Sequence, residues 1–216
     1  MNRPRRLVVL RHGETDSNAR GIWQGQLDHE LSERGHAQAR AAAQALVALQ
    51  PSRVVASDLL RAQVTGRDVA QACGVPITLD ERLREIHAGD WQGLTGAEVR
   101  ERYPEDAERL LSGEDFVRGG HGESVADVAE RSRAAVSEVV ASMAPGECVV
   151  LATHGVTGRT LVVDLVGLDQ QQAWLALGGL RNCHWALLEE GRAGWRVVEW
   201  NVGAPPDATA AESVIA

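Results

Sequence analysis

The fold class predicted for this chain is a three-layer α/β/α sandwich on a mainly parallel central sheet with an antiparallel edge strand. Three observations predict it. Short apolar runs alternate with stretches of helical character, the pattern of βαβ units. The run Cys148-Val149-Val150-Leu151-Ala152 is apolar without alternation, as a strand covered on both faces must be. Near the carboxyl end two alternating stretches flank a turn at Gly191 and Gly194, which reads as a final antiparallel pair.

The first strand is expected over 6–10, and a polar loop follows it to residue 31. Ser32 caps an alanine-rich helix reaching about residue 49, closed by Pro51. A strand over 53–56 gives way to Ser57-Asp58, two good cap residues. The helix behind them runs to Cys73 and stops at Gly74. A short strand is expected over 77–79. Residues 80–124 read as irregular, a substrate-facing insertion with one helix over 95–103, stopped by Pro104, and a glycine-rich turn at Gly119-Gly120-His121-Gly122. A helix over 124–143 precedes Pro145-Gly146, the central strand follows over 148–152, and a further helix runs over 158–165. The closing antiparallel pair is expected near 182–188 and 195–200. One domain over 1–202 is expected, with 203–216 as a mobile tail of alanine, proline and small polar residues.

Composition excludes several classes of function. The net charge of -8 and pI near 5.4 disfavour nucleic-acid and anionic-membrane partners, which reward a basic patch. All 22 basic residues are arginines, so a Schiff-base lysine and a P-loop lysine are both excluded. Arginine's planar fork suits oxyanions. Cys73, Cys148 and Cys183 are odd in number and widely spaced, which points to reduced thiols of a cytoplasmic protein. Only four apolar residues separate Arg6 from Arg11, too few for a secretory segment, and no run approaches a membrane span. Neither closely spaced metal ligands nor a cofactor fingerprint is present, so no metal and no cofactor are expected.

The chemistry concentrates at strand ends. Arg11-His12-Gly13-Glu14 follows the run Leu7-Val8-Val9-Leu10, and Thr153-His154-Gly155 follows the central strand. Parallel strands deliver both histidines to one rim, where open α/β sheets bind ligands. Arg61 lies early in the helix behind Ser57-Asp58, near an amino terminus that favours anions. Two histidines and two arginines around one pocket suit a phosphate ester. Neutral imidazole attacks well near its reference pKa of about 6.5, while guanidinium groups neutralise the oxygens.

Five ordered motifs extend this pattern: Arg11-His12-Gly13-Glu14-Thr15; Ser57-Asp58-Leu59-Leu60-Arg61-Ala62 with Thr65; Leu83-Arg84-Glu85 with Gly89-Asp90-Trp91-Gln92-Gly93; Gly122-Glu123-Ser124; and Thr153-His154-Gly155. Over nearly its whole length the chain resembles the histidine phosphatase superfamily, the phosphoglycerate-mutase-like phosphatases. The stretches Trp23-Gln24-Gly25-Gln26-Leu27-Asp28 and His87-Ala88-Gly89-Asp90-Trp91-Gln92-Gly93-Leu94-Thr95 look most like the branch acting on glucosyl-3-phosphoglycerate. By this resemblance His12 is the nucleophile that becomes phosphohistidine, and Arg11, Arg61 and His154 hold the phosphoryl oxygens. Glu85 is the proton donor and then the base on water. Its pKa must be raised, which a half-buried pocket does and a flanking arginine opposes. The resemblance also makes Asn18, Gln24 and Gly155 phosphate or substrate contacts. Gly66, where the family often has alanine, and Val156, where a second glycine is common, depart from it.

Trp23 and Trp91 sit in site loops where an aromatic face suits a sugar. His87 lies two residues after Glu85, and His121 in the glycine-rich turn, so both are candidates to face substrate. Glu14 is the runner-up acid. His29, His36 and His184 read as structural, and the charged stretch 98–108 as a solvated helix face with local ion pairs. The expected partner is a small phosphomonoester, with a homodimer formed near tryptophans at the carboxyl end. A cofactor-dependent phosphoglycerate mutase, a fructose bisphosphatase or an α-ribazole phosphatase would use the same pocket. A non-enzymatic phospholigand sensor is the alternative of a different class.

Overall fold

Alternating apolar residues in the strands decide the layering. In the computed structural model, which describes residues 3–204, the chain runs β1 (Arg6–Arg11), α1 (Asp16–Ala19), α2 (Glu33–Leu46), β2 (Arg53–Ala56), α3 (Leu60–Cys73), β3 (Ile77–Leu79), α4 (Gly96–Arg102), α5 (Pro104–Leu111), α6 (Val125–Ser142), β4 (Cys148–Thr153), α7 (Gly155–Leu165), α8 (Gln170–Ala176), β5 (Trp185–Gly191) and β6 (Gly194–Val202). The strands form one sheet in the order β3-β2-β4-β1-β5-β6. The first four are mutually parallel, whereas β5 runs antiparallel to β1 and β6 antiparallel to β5. Val8 and Leu10 of β1 share one face with Val150 and Ala152 of β4, packing on Ala39, Ala42 and Leu46 of α2 and Val69 of α3. Leu7, Val9, Val149 and Leu151 face the other way, onto Val136 of α6 and Leu161 and Val162 of α7. The β4 strand is buried along its full length, as its unbroken apolar run required.

Several boundaries differ from the sequence reading. Ser57 and Asp58 do not cap α3: Leu59 holds the cap position without a side-chain bond. Instead Asp28 Oδ1, from the loop after α1, accepts from the Leu60 N–H at 2.7 Å, which frees Asp58 to pair with Arg84. Pro104 stops α4 but also opens α5, whose first turn needs no N–H at that position. The charged stretch is thus split between two helices. Its ion pairs are Arg102–Glu98 at 3.3 Å and Arg109–Asp106 at 3.6 Å. The α7 helix begins at Gly155, three residues before its expected start, and α1 and α8 were not anticipated. Trp195 and Trp200 are half-buried against the α6/α7 side of the sheet, not exposed as a free edge. The expected mobile tail, beyond Ala204, lies outside the described residues.

The stretch 80–124 is less irregular than expected. Besides α4 and α5 it builds a small core of Ala88, Trp91, Val99 and Phe116, with Trp23 packed against it. Its glycine-rich turn is obligatory: Gly119 has φ +54° and a Cβ there would stand 2.3 Å from the Ala88 carbonyl oxygen. That close approach lets Asp90 N–H donate to Gly119 O at 3.0 Å, tying the turn to the segment after Glu85.

Candidate active site

Sheet register brings the two histidine motifs together. Arg11 pairs with Thr153 at the ends of adjacent parallel strands, and the His12 N–H donates to the Thr153 carbonyl at 2.9 Å. The next residues, His12 and His154, therefore leave the sheet side by side, with ring centroids 5.1 Å apart. Both are buried. Gly13 packs against the start of α2, where a Cβ would lie 2.5 Å from the Gly35 carbonyl oxygen, and its N–H donates to Thr65 Oγ1 at 3.1 Å.

Hydrogen bonding fixes which nitrogen of His12 is available. Its Nδ1 lies 2.7 Å from the Gly13 carbonyl oxygen, which can only accept, so Nδ1 carries the proton and Nε2 keeps its lone pair. Burial, then the charges of Arg61 and Arg11, push the His12 pKa well below the usual imidazole range. The ring is therefore neutral at physiological pH. His154 is depressed likewise, by burial first and then by Arg61, His12 and Arg11. Its Nε2 lies 2.9 Å from Ser57 Oγ, while its Nδ1 is buried without a hydrogen-bond partner among the described residues.

Both arginines are anchored by carbonyl oxygens. Arg11 Nη1 donates to Leu180 O at 2.7 Å, and Arg61 donates to Leu27 O at 2.8 Å and Gly25 O at 2.7 Å. Their Nε atoms are buried and unpartnered among the described residues. Burial lowers the Arg61 pKa to about 10, high enough to keep the charge. Gly155 opens α7 against the Arg11 guanidinium, 3.5 Å from where a Cβ would stand.

Glu85 sits across the cleft at the amino end of α7. Its Oε1 accepts from Thr157 N–H at 3.0 Å and Thr157 Oγ1 at 3.1 Å, whereas among the described residues Oε2 accepts only from Val156 N–H, at 3.2 Å. The flanking Arg84 is turned away, donating from Nε to Asp58 at 2.8 Å. Arg131, which sequence reasoning missed, braces this corner. It donates to the carbonyls of Arg82 and Arg84 at 2.8 Å each, to Glu85 O at 3.1 Å and to the Glu123 carboxylate.

A cleft of about 160 Å³ opens beside these groups, lined by Arg11, His12, Asn18, Trp23, Gln24, Arg61, Glu85 and Val156 among others; Gly155 and His154, the latter fully buried with its ring 5.1 Å from that of His12, are not in the lining. Asn18 Oδ1 accepts from Thr15 N–H and from Asn182 Nδ2, and Gln24 Oε1 accepts from Thr15 Oγ1, which leaves both amide NH₂ groups without a partner among the described residues and able to donate. Asn182 also donates to His12 O at 3.0 Å, a support that nothing in its sequence context announced. Three candidates fall elsewhere. Trp91 is fully buried behind Trp23, with ring centroids 5.1 Å apart, and does not reach the cleft. His87 lies outside the lining, its Nδ1 accepting from Gly89 N–H at 3.3 Å, and its ring faces exposed His121 at 5.8 Å. Glu14 accepts from Ser32 Oγ at 3.2 Å and pairs with Arg34, holding the loop to α2. Among the described residues no group of three or more His, Cys, Asp or Glu side chains could hold a metal ion.

Buried donors converging on a cleft at the carboxyl ends of parallel strands define an oxyanion-binding α/β protein. Residues 7–203 match the histidine phosphatase superfamily (branch 1), and the chain belongs to that family. It is 44% identical over 218 residues to glucosyl-3-phosphoglycerate phosphatase of Mycobacterium tuberculosis, covering 94% of this chain and 96% of the relative. The same enzyme of Mycolicibacterium vanbaalenii is 42% identical over 220 residues, with coverage of 94% and 96%. Among solved structures, a mycobacterial glucosyl-3-phosphoglycerate phosphatase with VO3 superposes with a TM-score of 0.86 at 42% identity, over 92% of this chain and all of that one. No helix of the described residues is long and apolar enough to cross a membrane.

Proposed function

We propose that this phosphoric monoester hydrolase acts on glucosyl-3-phosphoglycerate, through a phosphohistidine on His12. The observation that carries the mechanism is the pairing of a His12 Nε2 lone pair with two buried donors, Arg11 Nε and Arg61 Nε, and a buried ring nitrogen, His154 Nδ1, all three unpartnered among the described residues. The substrate rests on the 44% identical mycobacterial relative, which matches along nearly its whole length.

In the first step His12 Nε2 attacks phosphorus, the N–P bond forms and the ester P–O bond breaks. Arg11, Arg61 and His154 hold the three non-bridging oxygens, with Asn18 and Gln24 donating from the rim. Glu85 gives its proton to the departing alkoxide. Oε2, with a single backbone contact, is the oxygen suited to carry that proton. In the second step Glu85 takes a proton from water, the water oxygen bonds to phosphorus, the N–P bond breaks and inorganic phosphate leaves. Trp23 offers the glucosyl end an aromatic face. The arginines supply the charge stabilisation, so the reaction needs no metal and no cofactor.

The mutase, fructose bisphosphatase, α-ribazole phosphatase and sensor readings are not favoured by any feature of the cleft. The reading places the protein in the cytoplasm, where Cys73, Cys148 and Cys183 stay as free thiols. It also pairs two copies along the edge strand β6, where Val197 and Val198 are exposed. Light scattering tests that pairing. The decisive assay is phosphate release from glucosyl-3-phosphoglycerate, 3-phosphoglycerate, fructose bisphosphates and p-nitrophenyl phosphate, with chelator present and His12→Ala as control. Selective turnover of the first compound supports the assignment, and stimulation by 2,3-bisphosphoglycerate without phosphate release overturns it in favour of a mutase.

A further inference from the structure

We propose that the Ser57 hydroxyl sets the tautomer of His154, so that the neutral ring presents an Nδ1–H donor to the transferred phosphoryl group. The inference rests on the reading that this cleft holds a phosphoryl group. Ser57 and His154 are both fully buried, and Ser57 Oγ lies 2.9 Å from His154 Nε2. A hydroxyl has one proton to give. Ser57 Oγ accepts from the Leu59 N–H at 3.3 Å, and the His154 ring nitrogen is the acceptor in reach of its own proton among the described residues. The arrangement in which every one of these groups is paired has Ser57 O–H donating to Nε2. The proton of the neutral ring then belongs on Nδ1, the atom that is buried without a partner among the described residues.

The choice of tautomer matters because His154 is not a cation here. Burial and the two arginines hold it neutral, so it can favour an anionic oxygen only through an N–H. With the proton on Nε2, a lone pair would face the phosphoryl oxygens and oppose them. An unconstrained imidazole prefers that arrangement, carrying its proton on Nε2. Ser57 reverses the preference from behind, touching neither substrate nor nucleophile, and is therefore a positioning residue. It can do so because Asp28 serves the first N–H of α3 and leaves the Ser57 hydroxyl to turn toward the sheet.

The test is long-range ¹H–¹⁵N NMR of the full-length, ¹⁵N-histidine-labelled protein, with the His154 signals assigned by their loss in His154→Gln. The expected wild-type pattern is a protonated Nδ1 and an unprotonated Nε2. In Ser57→Ala the two should exchange or average, and vanadate should bind about 10- to 100-fold more weakly, the range of one hydrogen bond to a charged group. Ser57→Thr, which keeps the hydroxyl, should restore both. A merely structural serine would leave the tautomer unmoved, and thermal unfolding reports any loss of fold. A wild-type ring protonated on Nε2 overturns the proposal without any variant, as does an unchanged tautomer in Ser57→Ala. Failure of the wild-type protein to bind vanadate would instead overturn the phosphoryl reading of the cleft.

Discussion

Glu85→Gln removes a proton donor while keeping the shape of the side chain. The amide oxygen can occupy the Oε1 position, where it still accepts from Thr157 N–H and Thr157 Oγ1, but the NH₂ group then faces the Val156 N–H across 3.2 Å. Donor against donor costs about 1–3 kcal/mol, which urea denaturation reads as lost stability. The kinetic effect is separate and larger. General acid–base catalysis contributes about 10²–10⁴-fold, or roughly 2.7–5.4 kcal/mol of barrier at 1.36 kcal/mol per tenfold. An alkyl ester, whose leaving group needs the proton, should lose that whole factor in kcat/KM. A p-nitrophenyl ester, whose phenolate departs unaided, should keep most of its first step yet stall afterwards, because no base activates water. Rapid-quench experiments with Glu85→Gln should therefore show a burst of p-nitrophenolate and an accumulating phosphoenzyme. Equal losses for both esters, or a loss under about threefold for the alkyl ester, would refute the assignment of Glu85.

His12→Asn should abolish the phosphoenzyme, which in the wild type should be acid-labile and base-stable; a base-stable adduct undiminished in the variant would move the nucleophile elsewhere. Because His12 and His154 are held neutral in the fold, the unfolded chain binds their protons first as pH drops below about 6.5. Stability is full above that value and falls below it by up to about 1.4 kcal/mol per pH unit for each ring. Urea unfolding between pH 7 and 5 should show this slope and a shallower one in His12→Asn. Gly13→Ala drives a Cβ to 2.5 Å from Gly35 O, so a loss of about 1–3 kcal/mol in unfolding free energy is expected, with activity lost in parallel. Phosphate release should survive exhaustive chelation, since Arg11 and Arg61 supply the positive charge at the transferring group.

The parts legible in the sequence are those fixed by local pattern. β2 and β3 match their expected bounds, and the Ser32 cap stands one residue before its helix, with Ser32 Oγ accepting from Gly35 N–H; Ser124, expected as the first residue of its helix, is instead its cap, with Oγ accepting from Asp127 N–H. The two histidines meet because strand ends in a parallel sheet must share a rim, an argument from topology that needs no side-chain detail. Long-range competition is what escaped. Ser57-Asp58 has the composition of a cap, but Asp28, 32 residues before Leu60 in sequence, takes that role. Trp91 carries the same aromatic signal as Trp23; the packing of Phe116 and Val99 decides that it is core. Pro104 was read as an end when it is also a beginning, and the weakly patterned Gln170–Ala176 helix gave no periodic signal over its 7 residues. Arg131 and Asn182 act through backbone carbonyls, and a carbonyl has no sequence signature.

The choice of carbonyl partners is what makes the cleft work electrostatically. An arginine paired with a carboxylate has spent its charge locally, as Arg84 has on Asp58 and Arg82 on Asp80 and Glu138. Arg11 and Arg61 are oriented instead by Leu180, Gly25 and Leu27 oxygens, which fix the guanidinium planes without cancelling their charge. That charge, offset by the carboxylates of Glu85 and Asp28 without an ion-pair contact among the described residues, has two effects. It adds to burial, the larger cause, in depressing His12 and keeping the Nε2 lone pair available, and it attracts the dianionic group that the lone pair must attack. A carboxylate in place of those carbonyls would raise the His12 pKa and repel the phosphoryl group together. Nucleophile activation and substrate attraction are thus one property of the pocket, and the loop 24–28 that supplies two of the carbonyls also supplies Asp28 to the start of α3, tying the helix that carries Arg61 to the residues that aim it.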